Sequence, residues 1–329
     1  MSDPIAVVGG GAWGTALANA AAAAGHPVTL WLRDGEAARR IEETRENARY
    51  LPGVRLHDAI RATAEPRDLS SAKVVLLVTP AQTLRGVLGT LKSSIDRRAA
   101  IVLCAKGIER GSDAFMSAVA AEAMPGASVA VLSGPSFAAD VARNLPTAVT
   151  LAAEDADLAA RLAAALSGPA LRVYHTDDVR GVEIGGAGKN VLAIASGIVA
   201  GRGLGESARA ALIARAFAEL MRFARAYGGR PETLMGLSGL GDLVLTASSP
   251  QSRNFAFGQR LGAGATSEEA SGGKLAEGAF TAAALVALAR RNAVEMPVAE
   301  AVAAIVSGGA SVDAVVAGLL ARPLKREAE

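Results

Sequence analysis

Short runs of aliphatic and β-branched residues punctuate the first half of the chain. Ile5–Val8, Pro27–Leu32, Val74–Val78, Ile101–Cys104, Ser128–Leu132, Thr147–Leu151 and Arg172–His175 each read as a strand. Helical stretches separate them, the first alanine-rich and reaching about Ala24. Strands that are apolar throughout and alternate with helices predict a parallel sheet covered on both faces, a Rossmann-like, doubly wound α/β layer. After Asp178 the strand pattern stops. Gly181–Ala200, Ser207–Tyr227, Thr281–Arg291 and Val298–Ser307 read as helices, so an all-α domain should follow. The expected boundary lies near residue 180, giving domains 1–180 and 181–329. Gly262–Gly273, rich in glycine and serine with two glutamates, is expected to be a mobile surface loop.

Composition narrows the function classes. The 329 residues are 51% hydrophobic and 20% charged, a globular balance with room for two domains. A net charge of +2, spread along the chain, gives no electrostatic case for nucleic acid. The single cysteine, Cys104, ends an apolar run and reads as a buried structural thiol. The N-terminus lacks the basic region of a signal peptide, and the apolar runs are broken by glycine, so no membrane span is expected and the protein should be cytoplasmic. His26, His57 and His175 stand apart, and no metal-ligand spacing is visible.

Two features carry chemistry. The first is Lys189, which lies in the small and apolar stretch Ile184–Ile198. A helix there has no polar face, and burial of an unpaired ammonium is costly, so this lysine must find a partner, lose its proton or reach water. The chain holds only six lysines against 28 arginines. A lysine can give up a proton once desolvated, which an arginine cannot do near neutral pH. The second feature is Gly9-Gly-Gly11-Ala-Trp-Gly14, a GxGxxG pattern that follows a strand and opens a helix. In that context the glycines permit a tight turn, close approach of a pyrophosphate and close helix–strand packing, making domain 1–180 a dinucleotide-binding domain. At the end of the second strand, an acidic residue would accept the ribose hydroxyl of NAD and an arginine would accommodate the 2′-phosphate of NADP. Arg33 is followed at once by Asp34, so NADP(H), NAD(H) or both remain open, with Arg33 coming first.

With these motifs stand Lys106-Gly-Ile-Glu109, Leu132-Ser-Gly-Pro-Ser-Phe-Ala138, Gly185-Gly-Ala-Gly-Lys-Asn-Val191, Gly236-Leu-Ser-Gly-Leu-Gly-Asp-Leu243, Ser252-Arg-Asn254 and Glu277-Gly278. In this order the chain resembles the bacterial NAD(P)-dependent glycerol-3-phosphate dehydrogenases from Gly9 to about Val302. The resemblance implies reversible reduction of dihydroxyacetone phosphate to sn-glycerol 3-phosphate, feeding glycerophospholipid synthesis. It implies that Lys189 is the acid/base and that Lys106, Gly134, Ser136, Lys189, Asp242, Ser252, Arg253 and Asn254 bind substrate. Cofactor contacts carry over to Gly9, Gly11, Ala12, Trp13, Gly14, Arg33, Tyr50, Lys106, Ala138, Arg253, Leu275 and Glu277. No metal is implied, and the oligomeric state stays open, a homodimer being compatible.

There are departures from the family pattern. Ala12 replaces a usual serine, Gly188 a larger apolar residue, Leu275 a usual valine, and Asp34 is an awkward neighbour for a 2′-phosphate.

The chemistry fits the residue types. Hydride addition to a ketone builds negative charge on oxygen, and a cation with a transferable proton stabilises and then protonates it. Asp242, after Gly239-Leu-Gly241, could hold such a lysine or cap a helix. Ser252-Arg-Asn254 has the makings of a helix start that cradles phosphate. Other dehydrogenases of the same layout, and a sensor that binds the dinucleotide without turnover, are the competing readings.

Overall fold

A computed structural model describes residues 3–273 and 276–321. Eight strands form one sheet: β1 Ile5–Val8, β2 Val28–Trp31, β3 Ile60–Thr63, β4 Val74–Leu77, β5 Ala100–Leu103, β6 Ser128–Ser133, β7 Thr147–Ala152 and β8 Leu171–Thr176. The helices interleaved with them are α1 Ala12–Ala23, α2 Gly35–Thr44, α3 Leu84–Leu91, α4 Met116–Ala123, α5 Ala138–Ala142 and α6 Ala156–Leu166. The helices that follow are α7 Val179–Gly201, α8 Glu206–Ala226, α9 Pro231–Met235, α10 Asp242–Ser248, α11 Arg253–Gly262, α12 Ser267–Ser271, α13 Glu277–Arg291, α14 Pro297–Val306 and α15 Val312–Leu320.

The strand order is β3-β2-β1-β4-β5-β6-β7-β8. β1 is central, with Ile5 paired to Val28 on one side and Val74 on the other, both in parallel. The chain therefore reverses its direction of build between β1 and β4, and a doubly wound sheet opens its ligand crevice at the carboxyl ends flanking such a reversal. Alternate residues of β1 serve two cores: Ile5 and Val7 join one apolar cluster, Ala6 and Val8 the other. That double burial is why the strands are apolar without alternation.

The expected all-parallel sheet needs one correction. β7 runs antiparallel to β6, with Leu132 opposite Leu151. A parallel return needs a crossover, usually a helix. The link after Ser133 holds only the five-residue α5. The short edge strand β3 was not expected either; of Ile60-Arg-Ala-Thr63 only Arg61 is exposed.

The division into units is finer than one boundary near residue 180. Among the described residues, those up to 186 together with 228–242 form one compact unit, and 187–227 together with those from 243 form the other. α7 begins in the first unit and continues in the second, because one unbroken helix covers 179–201. Among the described residues α7 is the helix long and apolar enough to cross a membrane, which the glycine-broken sequence had not suggested; 89% of its apolar window is buried by the protein itself, as in a core helix.

In the second unit, α7 and α11 meet through reciprocal glycine pairs. A Cβ on Gly197 or Gly201 would lie 2.1 Å from the Phe255 carbonyl oxygen or 2.0 Å from that of Gln259. A Cβ on Gly258 or Gly262 would lie 2.1 Å from the Ile194 oxygen or 2.2 Å from that of Ile198. The two backbones are thus in contact, which any side chain would prevent. The loop expected over 262–273 instead contains α12, started by a capping box between Thr266 and Glu269.

Three buried carboxylates are explained by helix starts. Asp178 accepts from Gly181 N at the head of α7 and from Arg230 N. Glu219 accepts from Val298 N at the head of α14. Glu183 accepts from Ser117 N at 2.7 Å and Ser117 Oγ at 2.8 Å, at the head of α4, and pairs with Arg180 at 3.2 Å. Burial nonetheless raises the Glu183 carboxyl above its ordinary value, against the lowering by Ser117 and Arg180. The raised value favours protonation in the folded state. Its stabilising contribution is full below the unfolded carboxyl value of 4.5 and is lost as pH rises through the raised one. Wild type minus Glu183→Gln should therefore show a melting-temperature difference that grows more favourable to wild type from pH 7.5 down to pH about 4.5. A flat difference in calorimetry would show that burial does not govern this group.

Candidate active site

In the first unit the glycine loop leaves β1 and starts α1. Gly9 has φ +122°, and a Cβ there would meet the Val78 carbonyl oxygen at 2.5 Å. A Cβ on Gly14 would meet the Gly9 oxygen at 1.8 Å. By contrast, nothing lies within 4 Å of a Cβ built on Gly11. Gly11 is the N-cap of α1 and supplies no side-chain cap, so the first-turn N–H groups remain for an anion. Open space above Gly11 and uncapped donors are what a pyrophosphate requires, so these residues fit a dinucleotide. Ala12 opens α1, and with Trp13 it packs half-buried on the core cluster that Ala138 also joins.

Sequence reasoning missed the residue that holds this loop. Asn47 donates from Nδ2 to Gly10 O at 2.9 Å and to Thr15 Oγ1 at 2.8 Å. Thr15 Oγ1 in turn donates to Gly11 O at 2.9 Å. Both residues are buried, and Asn47 is far in sequence from the loop, so no local motif marks it.

Beyond β2, Arg33 is exposed and Asp34 is the N-cap of α2, accepting at Oδ1 from Glu36 N at 3.0 Å and Ala37 N at 3.1 Å. Tyr50 is exposed, and the Arg49 guanidinium lies 5.3 Å from its ring centroid.

Near the carboxyl ends of β5 and β6, Lys106 Nζ donates to Asp242 Oδ2 at 2.7 Å and to Gly134 O at 3.1 Å. Ser136 Oγ donates to the same Gly134 oxygen at 3.1 Å. The structure thus brings Lys106, Gly134, Ser136 and Asp242 together. The Asp242 side chain is 2% exposed and that of Lys106 16%, and such an ion pair persists only with good geometry and further hydrogen bonds. Gly134 has φ +151°, and a Cβ there would lie 2.8 Å from Val149 Cα. Glu109 of the KGIE segment serves the scaffold: Arg85 grips both its oxygens, at 2.9 and 2.7 Å, and this hydrogen bonding lowers its carboxyl. Cys104 is buried, and desolvation pushes its thiol up to about 12, leaving it unreactive.

In the second unit, Lys189 is 7% exposed on α7, and its Nζ donates to Thr246 Oγ1 on α10 at 2.8 Å. The buried ammonium therefore has a partner. Thr246 was not anticipated, although it stands four residues after Asp242 in one helix. Ser252 caps α11, accepting from Phe255 N at 3.2 Å, and Arg253 is the exposed first residue of that helix. Asn254 donates to Asn190 Oδ1 at 2.8 Å and accepts from Gly278 N at 3.0 Å. One amide thus ties α7, α11 and the start of α13 together, with Glu277 as the first residue of α13. Asn190 is the other member of this network that sequence reasoning passed over. At the unusual Gly188, a Cβ would meet Leu220 Cδ1 at 2.3 Å; Leu220 fills the space that a larger residue would take. Leu275 lies outside the described residues. Among the described residues no group of three or more His, Cys, Asp and Glu could hold a metal ion.

The whole chain has relatives. Residues 4–159 match the NAD-dependent glycerol-3-phosphate dehydrogenase N-terminus and residues 178–317 the C-terminus of that family. A glycerol-3-phosphate dehydrogenase [NAD(P)+] of Methylobacterium radiotolerans is 76% identical over 327 residues, covering 99% of this chain and 98% of that protein. One from Azorhizobium caulinodans is 60% identical, with 99% of each chain covered. Among solved structures, glycerol-3-phosphate dehydrogenase from Coxiella burnetii is 40% identical with a TM-score of 0.92, covering 98% of this chain and 99% of that one. The chain belongs to the NAD-dependent glycerol-3-phosphate dehydrogenase family, and it is an oxidoreductase that uses NAD(P)(H).

Proposed function

We propose that the protein reduces dihydroxyacetone phosphate to sn-glycerol 3-phosphate, reversibly, with Lys189 as the acid. The observation that carries this reading is a buried lysine with a hydroxyl partner, on a chain 76% identical to a glycerol-3-phosphate dehydrogenase. The bound nicotinamide supplies the hydride. Gly9, Gly11, Ala12, Trp13 and Gly14 hold the dinucleotide, the α1 amides taking its pyrophosphate. Arg33, Tyr50, Ala138 and Glu277 contribute further cofactor contacts. Lys189 donates its proton to the ketone oxygen as negative charge builds there, and Thr246 orients the ammonium. Lys106, paired with Asp242, contacts the substrate together with Gly134 and Ser136. Ser252, Arg253 and Asn254 take the phosphate end at the start of α11. In the cell, the enzyme acts in the cytoplasm as a source of glycerophospholipid precursor.

The test is NADPH oxidation followed by absorbance, with and without dihydroxyacetone phosphate. Oxidation should require the ketone phosphate. Turnover only with a hydroxyacyl or sugar-acid substrate would assign a different dehydrogenase, and nucleotide binding without any turnover would make the protein a sensor. A variant refines the cofactor side. Arg33→Ala should weaken NADPH far more than NADH, by about 10–150-fold, the worth of one charge-assisted hydrogen bond. Equal effects on both would reduce Arg33 to a stacking surface.

A further inference from the structure

We infer that Arg49 is a second reader of the 2′-phosphate of NADP(H), and that Asp34 is a helix cap rather than a ribose acceptor. The inference rests on the dinucleotide reading above and deepens it.

The adenosine end of a dinucleotide lies beyond the second strand of such a sheet. Arg33 and Asp34 follow β2 directly, and Arg49 and Tyr50 share a turn after α2. Asn47 fixes the last two. It is pinned to Gly10 and Thr15 of the glycine loop, and its carbonyl accepts from Tyr50 N at 3.0 Å and Leu51 N at 2.8 Å. The turn bearing Arg49 and Tyr50 is therefore anchored to the loop that takes the pyrophosphate. The Arg49 guanidinium is stacked 5.3 Å from the Tyr50 ring centroid and lies close enough to Asp34 to act on its charge. Among the described residues neither Arg33 nor Arg49 closes a hydrogen bond or salt bridge, so their donors remain for a ligand.

Asp34 would ordinarily oppose a phosphate. Its carboxylate is instead turned to α2, where Oδ1 takes the amides of Glu36 and Ala37. Those amides, Ala37 first, hold the carboxyl below its ordinary value, with help from Arg40 and Arg49. Its negative charge is thus balanced by a helix start and by guanidinium groups. What remains facing outward is two arginines, a pair of planar forks suited to a dianionic phosphate.

The test needs no turnover. NADPH and NADH are titrated by their fluorescence against wild type, Arg49→Gln and Asp34→Asn. Asparagine is as good an N-cap as aspartate, so the second variant keeps α2. Arg49→Gln should raise the NADPH Kd at least about tenfold and leave the NADH Kd within about threefold. Asp34→Asn should leave NADH affinity within about twofold, because no ribose bond is lost. Equal weakening of both nucleotides by Arg49→Gln, or no change in NADPH, would overturn the role of Arg49. A tenfold loss of NADH in Asp34→Asn would restore aspartate as the ribose acceptor. The outcomes separate from the function reading: a wild type that binds neither nucleotide removes that reading, whereas one that reduces dihydroxyacetone phosphate while the variants misbehave removes this inference alone.

Discussion

Lys189→Met is expected to slow reduction of dihydroxyacetone phosphate by about 10²–10⁴-fold from loss of the proton donor alone, with lost charge stabilisation adding to that. Methionine keeps the bulk at a position only 7% exposed, so the helix should hold. NADPH fluorescence should still report cofactor binding, since the glycine loop, Asn47 and Arg33 are untouched. Lys189→Arg sharpens the result. Arginine retains the charge and cannot deliver the proton near neutral pH, so it should remain slow. Turnover near wild type in the methionine variant would remove Lys189 from the chemistry and direct attention to Lys106.

Arg253→Ala is expected to depress kcat/KM for dihydroxyacetone phosphate at least about tenfold, the loss of one charge-assisted hydrogen bond. The phosphate is remote from the reacting carbon, and its binding energy positions the ketone for hydride attack. Arg253 is the exposed first residue of α11, so its removal should leave the fold intact. The comparison that decides is with unphosphorylated dihydroxyacetone at saturating NADPH, where the variant should lose little. Some rise in the NADPH KM is compatible with an arginine that also touches the nucleotide. If both ketones slow by one factor, Arg253 does not read phosphate, and Lys106 with Ser136 becomes the place to look.

Local pattern made much of this site legible. The GxGxxG stretch announced itself because strand, turn and helix are contiguous, and Gly9, Gly11 and Gly14 each have the backbone or space that reading requires. Ser252 as a helix cap followed from one residue type at one position. Lys189 stood out because its neighbours are apolar. What the sequence hid was partnership across long separations. Asn47 reaches Gly10, Thr246 reaches Lys189, and Asn254 joins Asn190 to Gly278, each through one side chain with no periodicity to betray it. Asp242 was read first as a carboxylate to steady Lys189 and second as a helix cap; it heads α10 and pairs with Lys106. The antiparallel β7 was hidden for another reason: the direction of an apolar strand depends on what links it, and α5 is too slight to read as a crossover.

The reciprocal glycines of α7 and α11 have a consequence for how this active site can evolve. Four residues there present carbonyl oxygens to the opposing backbone, with no rotamer able to absorb a shift. Lys189 rides on one of these helices and Arg253 on the other. If they grip the ketone and phosphate ends of the substrate as proposed, the distance between the grips is a ruler graduated in backbone, and side-chain replacement cannot lengthen it. Drift in substrate choice would then be confined to headgroup chemistry at fixed length, and a substrate one carbon longer would require a different crossing of the two helices.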